Sequence, residues 1–289
     1  MCFGVRDAID LALDHSAKEP LTILGDLVHN ESVLTELRAR GVQIERQPAS
    51  ISTATVMITA HGASDKTLTG VRGRGLNVLE ATCPLVQVAH GAVKRLVREG
   101  FHPVIVGQRD HVEVRGITED LVAFDVILTD QDVEALAERP RFGVTAQTTQ
   151  PIGRVRNLVQ SLRQRFPRSE VAFIDTVCQP TKQRQAAAND LAKQSDVVVV
   201  IGGAGSNNTR ELVATCGRHC ARVHHVQAAA DLREEWFNDA ATVGVTAGTS
   251  TPDWIIAQVE EWLEKLAARR LALCPARASH ETMQLVETR

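Results

Sequence analysis

Short unbroken runs of valine, isoleucine and leucine alternate along the chain with stretches whose apolar residues recur three or four apart. The runs, bounded by polar turns, read as strands buried on both faces, and the stretches between them read as helices packed on those faces. This pattern occurs three times. Each copy starts with a helix, predicted at residues 5–15, 86–99 and 183–193. A strand ending in glycine follows, at residues 21–25, 104–107 and 197–202. Next comes a polar loop: Leu27-Val28-His29-Asn30, His111-Val112-Glu113-Val114 and Ser206-Asn207-Asn208-Thr209. A further helix follows, such as 32–40 or 209–216. A second strand then ends in Thr-Ala and a small polar turn, seen at Thr59-Ala60-His61-Gly62, Thr145-Ala146-Gln147-Thr148 and Thr246-Ala247-Gly248-Thr249-Ser250. Helices are expected after these turns, with Pro151 and Pro252 in the first helical turn of two of them.

Each copy opens on a cysteine: Cys2, Cys83 and Cys178. Apolar strands at 76–79 and 171–175 run up to the second and third of these. The spacing from cysteine to polar loop is constant to within one residue, which marks an internal repeat. The predicted division is 1–82, 83–176 and 177–267 for three small α/β units with parallel-rich sheets. Residues 268–289 form a C-terminal tail that loses the pattern, and 275–289 are expected to be mobile. In open parallel sheets, ligands sit beyond the carboxyl ends of the strands. Three units whose strand ends faced a common centre would surround one cavity with three thiolates and several polar side chains.

Composition narrows the function. The chain has 289 residues, 44% hydrophobic and 23% charged, with a net charge of −3. That balance argues against a general nucleic-acid or anionic-membrane binder, which would show a basic face. Aromatic residues are only 3% and tyrosine is absent, so a base-stacking platform is not expected. There is no apolar run of the roughly 18 residues a membrane span needs, and no basic stretch followed by an apolar one at the start. A cytoplasmic protein is expected, and its six cysteines then read as thiols or metal ligands rather than a disulfide framework.

Three thiolates from separate segments can bind zinc or an iron–sulfur cluster. Structural zinc sites usually draw two ligands from one Cys-x-x-Cys pair, and none occurs here. A cubane cluster held by three cysteines leaves one iron without a protein ligand, and that iron can act as a Lewis acid. A single buried cysteine is usually just a small hydrophobe. That reading is kept for Cys216, Cys220 and Cys274, whereas the matched positions of Cys2, Cys83 and Cys178 argue against it. His29, His61 and His111, with Ser206, Asn208 and Ser250, offer imidazole, hydroxyl and amide groups suited to a diphosphate at helix N-termini. The cluster Gly202-Gly203-Ala204-Gly205 has a Rossmann look but lacks the acidic partner that fingerprint needs. Glu113 is the one carboxylate in these loops. It could deliver protons, with Thr148 as a relay or orienting hydroxyl.

Taken together, these segments resemble the 4-hydroxy-3-methylbut-2-enyl diphosphate reductase family of the non-mevalonate isoprenoid pathway. The motifs that carry the resemblance are Cys2-Phe3-Gly4-Val5, Val28-His29-Asn30, Ala60-His61-Gly62, Ala81-Thr82-Cys83-Pro84-Leu85-Val86, His111-Val112-Glu113-Val114, Gln147-Thr148-Thr149, the segment from Cys178 to Arg184-Gln185, Ser206-Asn207-Asn208-Thr209 and the segment from Gly244 to Asp253. The resemblance implies a pseudo-threefold trefoil of α/β units around one 4Fe–4S cluster. It implies Cys2, Cys83 and Cys178 as cluster ligands. His29, His61, His111, Ser206, Asn207, Asn208 and Ser250 would hold the substrate diphosphate, Asn207 through its backbone N–H. Thr148 would contact the substrate and Glu113 would be the proton donor. The implied reaction is reductive dehydroxylation to isopentenyl and dimethylallyl diphosphates, with ferredoxin or flavodoxin as electron donor. Two departures stand out. The family has a strand and loop ahead of its first cysteine where this sequence opens Met1-Cys2, and its His-Pro-Glu-Val reads His111-Val112-Glu113-Val114 here. The first departure leaves an alternative, a non-catalytic relative that senses iron or oxygen or binds a diphosphate.

Overall fold

The computed structural model describes residues 1–273 and 284–287. Within them are three four-stranded, wholly parallel sheets with the same strand order. The first is built from α1 (Phe3–Ser16), β1 (Leu21–Leu24), α2 (Glu31–Ala39), β2 (Gln43–Glu45), β3 (Thr55–Ile58), α3 (Asp65–Gly73) and β4 (Asn77–Glu80), in the order β2-β1-β3-β4. The second comprises α4 (Pro84–Arg98), β5 (His102–Val106), α5 (Val112–Thr118), β6 (Asp125–Ile127), α6 (Asp130–Glu134), β7 (Arg141–Ala146), α7 (Ile152–Arg165) and β8 (Glu170–Phe173), ordered β6-β5-β7-β8. The third comprises α8 (Gln179–Lys193), β9 (Val197–Ile201), α9 (Asn207–Cys216), β10 (Val223–Val226), β11 (Thr242–Ala247), α10 (Asp253–Leu273) and β12 (Gln284–Glu287), ordered β10-β9-β11-β12.

Two compact units contain these sheets. One holds Phe3–Val28 and Ser32–Gln179, with the first and second sheets. The other holds Met1–Cys2, His29–Glu31 and Pro180–Arg289, with the third. The continuous apolar strands are central, as their sequence requires: all five residues of β9 are buried, and β5 is buried from Pro103 to Val106. Edge strands such as β4 and β8 mix polar residues in and are only partly covered. Helices present one apolar stripe to these sheets. On α4 the stripe is Val86, Ala89, Val93 and Leu96, at the three- and four-residue spacing of one helix face. Phe142 on β7 is fully buried, with its ring 5.3 Å from that of Phe166.

Two expectations need correcting. Gln284–Glu287, placed in the tail, instead pairs in parallel with β11 as the fourth strand of the third sheet, and α10 continues to Leu273. The physical reason lies in the repeat. Without a partner, the outer edge of β11 would leave its backbone N–H and C=O groups unpaired, and β4 and β8 fill that place in the other two sheets. The rest of the expected tail, including Cys274, lies outside the described residues. Pro151 and Pro252 each precede the first helical residue instead of occupying it, and Pro151 has an extended backbone (φ −61°, ψ 121°).

Candidate active site

The three cysteines occupy equivalent positions in the repeat. Each stands immediately before a helix: Cys2 before α1, Cys83 before α4 and Cys178 before α8. Each also donates its backbone N–H to the carbonyl two residues beyond the strand that is third in chain order in a sheet. Cys83 bonds Ala60 at 3.1 Å, Cys178 bonds Thr148 at 3.0 Å and Cys2 bonds Thr249 at 3.0 Å. Cys2 is therefore fixed by the same backbone bond as the other two. Among the described residues none of the three is in a disulfide, and each is partly exposed. The start of a helix favours negative charge, and soft sulfur donors suit an iron–sulfur cluster. Around Cys83 the packing leaves the sulfur space: a Cβ added at Gly4 would lie 2.5 Å from Cys83 Sγ. The residues present thus fit the donor set of a cluster.

In the unit of the first two sheets, α5 packs on the turn carrying His61, where a Cβ on Gly116 would be 3.6 Å from Ala63 Cα. This places the His61 and His111 rings edge to face, 5.6 Å between centroids. His111 caps α5, and its Nδ1 accepts the Glu113 N–H at 3.1 Å. In the neutral ring the proton then sits on Nε2, making that nitrogen a donor. Glu113 is 1% exposed. Its carboxylate accepts the Thr148 N–H at 2.7 Å and the Thr148 hydroxyl at 3.0 Å. Burial raises its pKa to about 7, against the two Thr148 bonds, which pull it down.

The other unit holds His29, Ser206, Asn207, Asn208 and Ser250. The Ser206 hydroxyl caps α9 by accepting the Thr209 N–H at 3.3 Å. Gly203 lets the backbone lie against the His29 carbonyl, where a side chain could not fit. Asn208 is 2% exposed and Ser250 5%, yet both polar atoms of the Asn208 amide and the Ser250 hydroxyl find no partner among the described residues. Buried polar groups are nearly always satisfied. Of these atoms, the Asn208 Nδ2 and the Ser250 hydroxyl are donors an anion would complete, and Asn208 stands in the first turn of the capped α9.

The comparisons with known proteins decide the family. Residues 1–264 match the LytB protein family. The chain belongs to the LytB family. It is 37% identical over 262 residues to a 4-hydroxy-3-methylbut-2-enyl diphosphate reductase of Pelobacter propionicus, covering 89% of this chain and 92% of that one. It is 35% identical over 277 residues to the protein of that name in Aquifex aeolicus, covering 93% and 95%. A solved structure of (E)-4-hydroxy-3-methyl-but-2-enyl diphosphate reductase, the terminal enzyme of the non-mevalonate pathway, is 34% identical with a TM-score of 0.67, covering 92% and 96%. The fold is also that of the Plasmodium falciparum E-1-hydroxy-2-methyl-but-2-enyl-4-diphosphate reductase structure, with a TM-score of 0.85 at 23% identity, covering 100% of this chain and 89% of that one. The resemblance read from the motifs, and with it the assignment to an oxidoreductase family, is borne out. No helix among the described residues is long and apolar enough to cross a membrane.

Within the LytB fold, one residue beside Thr148 has a role that its place in the sequence does not announce. Gln147 is fully buried. Its Oε1 accepts the Gln108 N–H at 3.1 Å and Gln150 Nε2 at 3.0 Å, and its Nε2 donates to Thr149 Oγ1 at 3.1 Å. It thus ties the turn bearing Thr148 to the loop after β5. A polar residue directly after a buried strand was the available signal. Cys216 and Cys220 are packing residues, 0% and 5% exposed, as expected; burial pushes the Cys216 thiol up to about 11.

Burial of Glu113 makes stability depend on pH. Its folded pKa of about 7 lies above the ordinary 4.5. Its contribution is therefore complete below pH 4.5 and is lost as pH rises through about 7. At about 1.4 kcal/mol per tenfold change in proton affinity, the loss is about 3 kcal/mol. Glu113→Gln keeps the shape and removes the ionisation. Its stability advantage over wild type should therefore grow by about 3 kcal/mol between pH 4.5 and pH 8, measured by urea unfolding at each pH. Parallel curves for the two proteins would refute the assignment.

Proposed function

We propose that this chain catalyses the reductive dehydroxylation of 4-hydroxy-3-methylbut-2-enyl diphosphate to isopentenyl and dimethylallyl diphosphates. Cys2, Cys83 and Cys178 hold one 4Fe–4S cluster in this reading. When bound, the cluster supplies electrons and, having only three protein sulfurs, an iron free to act as a Lewis acid. The observation that carries the reading is the Thr148 junction: one residue takes the Cys178 N–H on its carbonyl and gives both its own N–H and its hydroxyl to the Glu113 carboxylate. A proton donor with a pKa of about 7 is thereby coupled to a cysteine turn. A module that only bound a diphosphate or sensed iron would have no use for such an acid.

The substrate's C–O bond breaks, two electrons enter the carbon skeleton, and two protons are consumed, one leaving with the oxygen as water. Glu113 holds the first of these protons on its carboxyl, and Thr148 orients that carboxyl through both of its oxygens. His29, His61, His111, Ser206, Asn208 and Ser250 bind the diphosphate by side-chain donors, and Asn207 does so by its backbone N–H. These contacts fix the substrate's position, which lowers the entropic part of the barrier. A ferredoxin or flavodoxin supplies the electrons, and the protein works in the cytoplasm. The test is anaerobic reconstitution with iron and sulfide, followed by turnover of the diphosphate substrate with a reduced dye. Water and the two isomeric diphosphates are the expected products. Protein carrying a complete cluster but converting no substrate would overturn the reading.

A further inference from the structure

The first strand of each sheet runs into a glycine: Gly25, Gly107 and Gly202. Each donates its N–H to the end of the neighbouring edge strand, to Glu45 at 2.7 Å, Ile127 at 3.0 Å and Val226 at 2.9 Å. At Gly107 space makes the demand. A Cβ there would lie 2.8 Å from Val114 Cγ2 and 2.9 Å from Gln147 Cβ. Real Cβ atoms do not approach that closely, and both obstacles belong to buried, packed residues. Val114 directly follows Glu113 on α5, and Gln147 directly precedes Thr148. The two residues resting on Gly107 are thus the chain neighbours of the two partners in the Glu113–Thr148 pair.

We propose that Gly107 is a positioning residue for the proton donor: its missing side chain lets α5 and the turn after β7 close until Glu113 receives both hydrogen bonds from Thr148. This rests on the reading of Glu113 as the acid. Adding a methyl group wedges Val114 from Gln147 and lengthens those bonds. The groups that set the Glu113 carboxyl are burial and these two bonds. The titratable rings in the adjoining loops are His111, which accepts the Glu113 N–H, and His61, edge-on to His111. Weakening the Thr148 bonds therefore moves the carboxyl titration to higher pH.

Gly143 on β7 supplies the control. A Cβ there would lie 2.8 Å from Phe101 Cβ and 3.0 Å from Leu96 Cβ, an equal crowding that touches neither neighbour of the pair. The experiment follows the Glu113 carboxyl band by infrared titration of the reconstituted protein, with Glu113→Gln as the blank. Gly107→Ala should titrate at higher pH than wild type and lose about 10- to 100-fold in kcat with KM little changed. Gly143→Ala should lose thermal stability yet titrate as wild type. If Gly107→Ala does not fold, Gly107→Ala combined with Val114→Ala removes one of the two collisions and should show the same direction. A wild-type titration in the Gly107 variant, or equal displacement in both glycine variants, would overturn the proposal. The titration needs no substrate. If it moved while Glu113→Gln kept full activity, the spacing role would stand and the catalytic role of Glu113 would fall.

Discussion

Glu113→Gln should lower kcat by about 10²–10⁴-fold, the range a positioned general acid contributes, with KM changed little. The substitution is conservative in shape and in hydrogen bonding. A glutamine Oε1 can still accept the Thr148 N–H, and its Nε2 can donate to the Thr148 hydroxyl, so the two segments that Glu113 joins at 2.7 and 3.0 Å stay joined. Only the transferable proton is lost. Loss of a group that acts only in the transition state lowers kcat and kcat/KM together, whereas loss of a binding contact raises KM. The wild-type rate should fall as pH rises through about 7, where the carboxyl gives up its proton, and the residual rate of the variant should lack that limb. The measurement is steady-state kinetics on protein of equal iron content. A variant with wild-type kcat and an unchanged pH profile would remove Glu113 from the mechanism. The stability prediction runs the other way for the same residue, because a carboxyl kept dry costs folding energy once it must ionise. Inactive but more resistant to urea at pH 8 is the paired outcome expected of one buried acid.

The repeat was legible because its signals are local. Val197–Ile201 can hardly be anything but a buried strand, and a proline after Cys83 announces the helix that follows. The equivalence of the cysteines could be read from spacing, and the backbone bonds to Ala60, Thr148 and Thr249 give it geometry. What could not be read depends on partners distant in sequence. Strand β12 has only Leu285 and Val286 as apolar residues, and nothing in Gln284–Glu287 says strand until β11 offers an edge. Gln147 resembles any polar turn residue until the fold brings Gln108 to it. Glu113 was a candidate by its loop. Its burial is seen only once the fold brings Thr148, 35 residues further along the chain, onto its carboxylate.

Cys83→Ala should strip the protein of its reconstituted iron and reduce turnover by more than the roughly 100-fold that loss of an outer-shell partner of a metal costs. Of the three proposed ligands, Cys83 is the one whose surroundings are most completely specified. Its N–H is held by Ala60, Pro84 starts α4 behind it, and Gly4 leaves room beside its sulfur. These features position a sulfur and do not depend on it for packing, since Cys83 is only partly buried. The alanine variant should therefore fold normally and fail specifically in holding metal. Cys216→Ala is the matched control. That thiol is fully buried, held in its protonated form by burial, and its Sγ lies 3.7 Å from the Ala188 carbonyl. Its loss should lower stability through the small cavity left behind and leave iron content and turnover unchanged. Iron and acid-labile sulfide, assayed after anaerobic reconstitution, separate the two roles, with about four irons per chain expected for wild type and Cys216→Ala. If Cys83→Ala kept its iron and its visible absorption, the three matched cysteines would be a packing repeat and not a ligand set. Because the thiolates must be deprotonated to bind, acidifying loaded wild type and loaded Cys216→Ala should release iron over the same pH range.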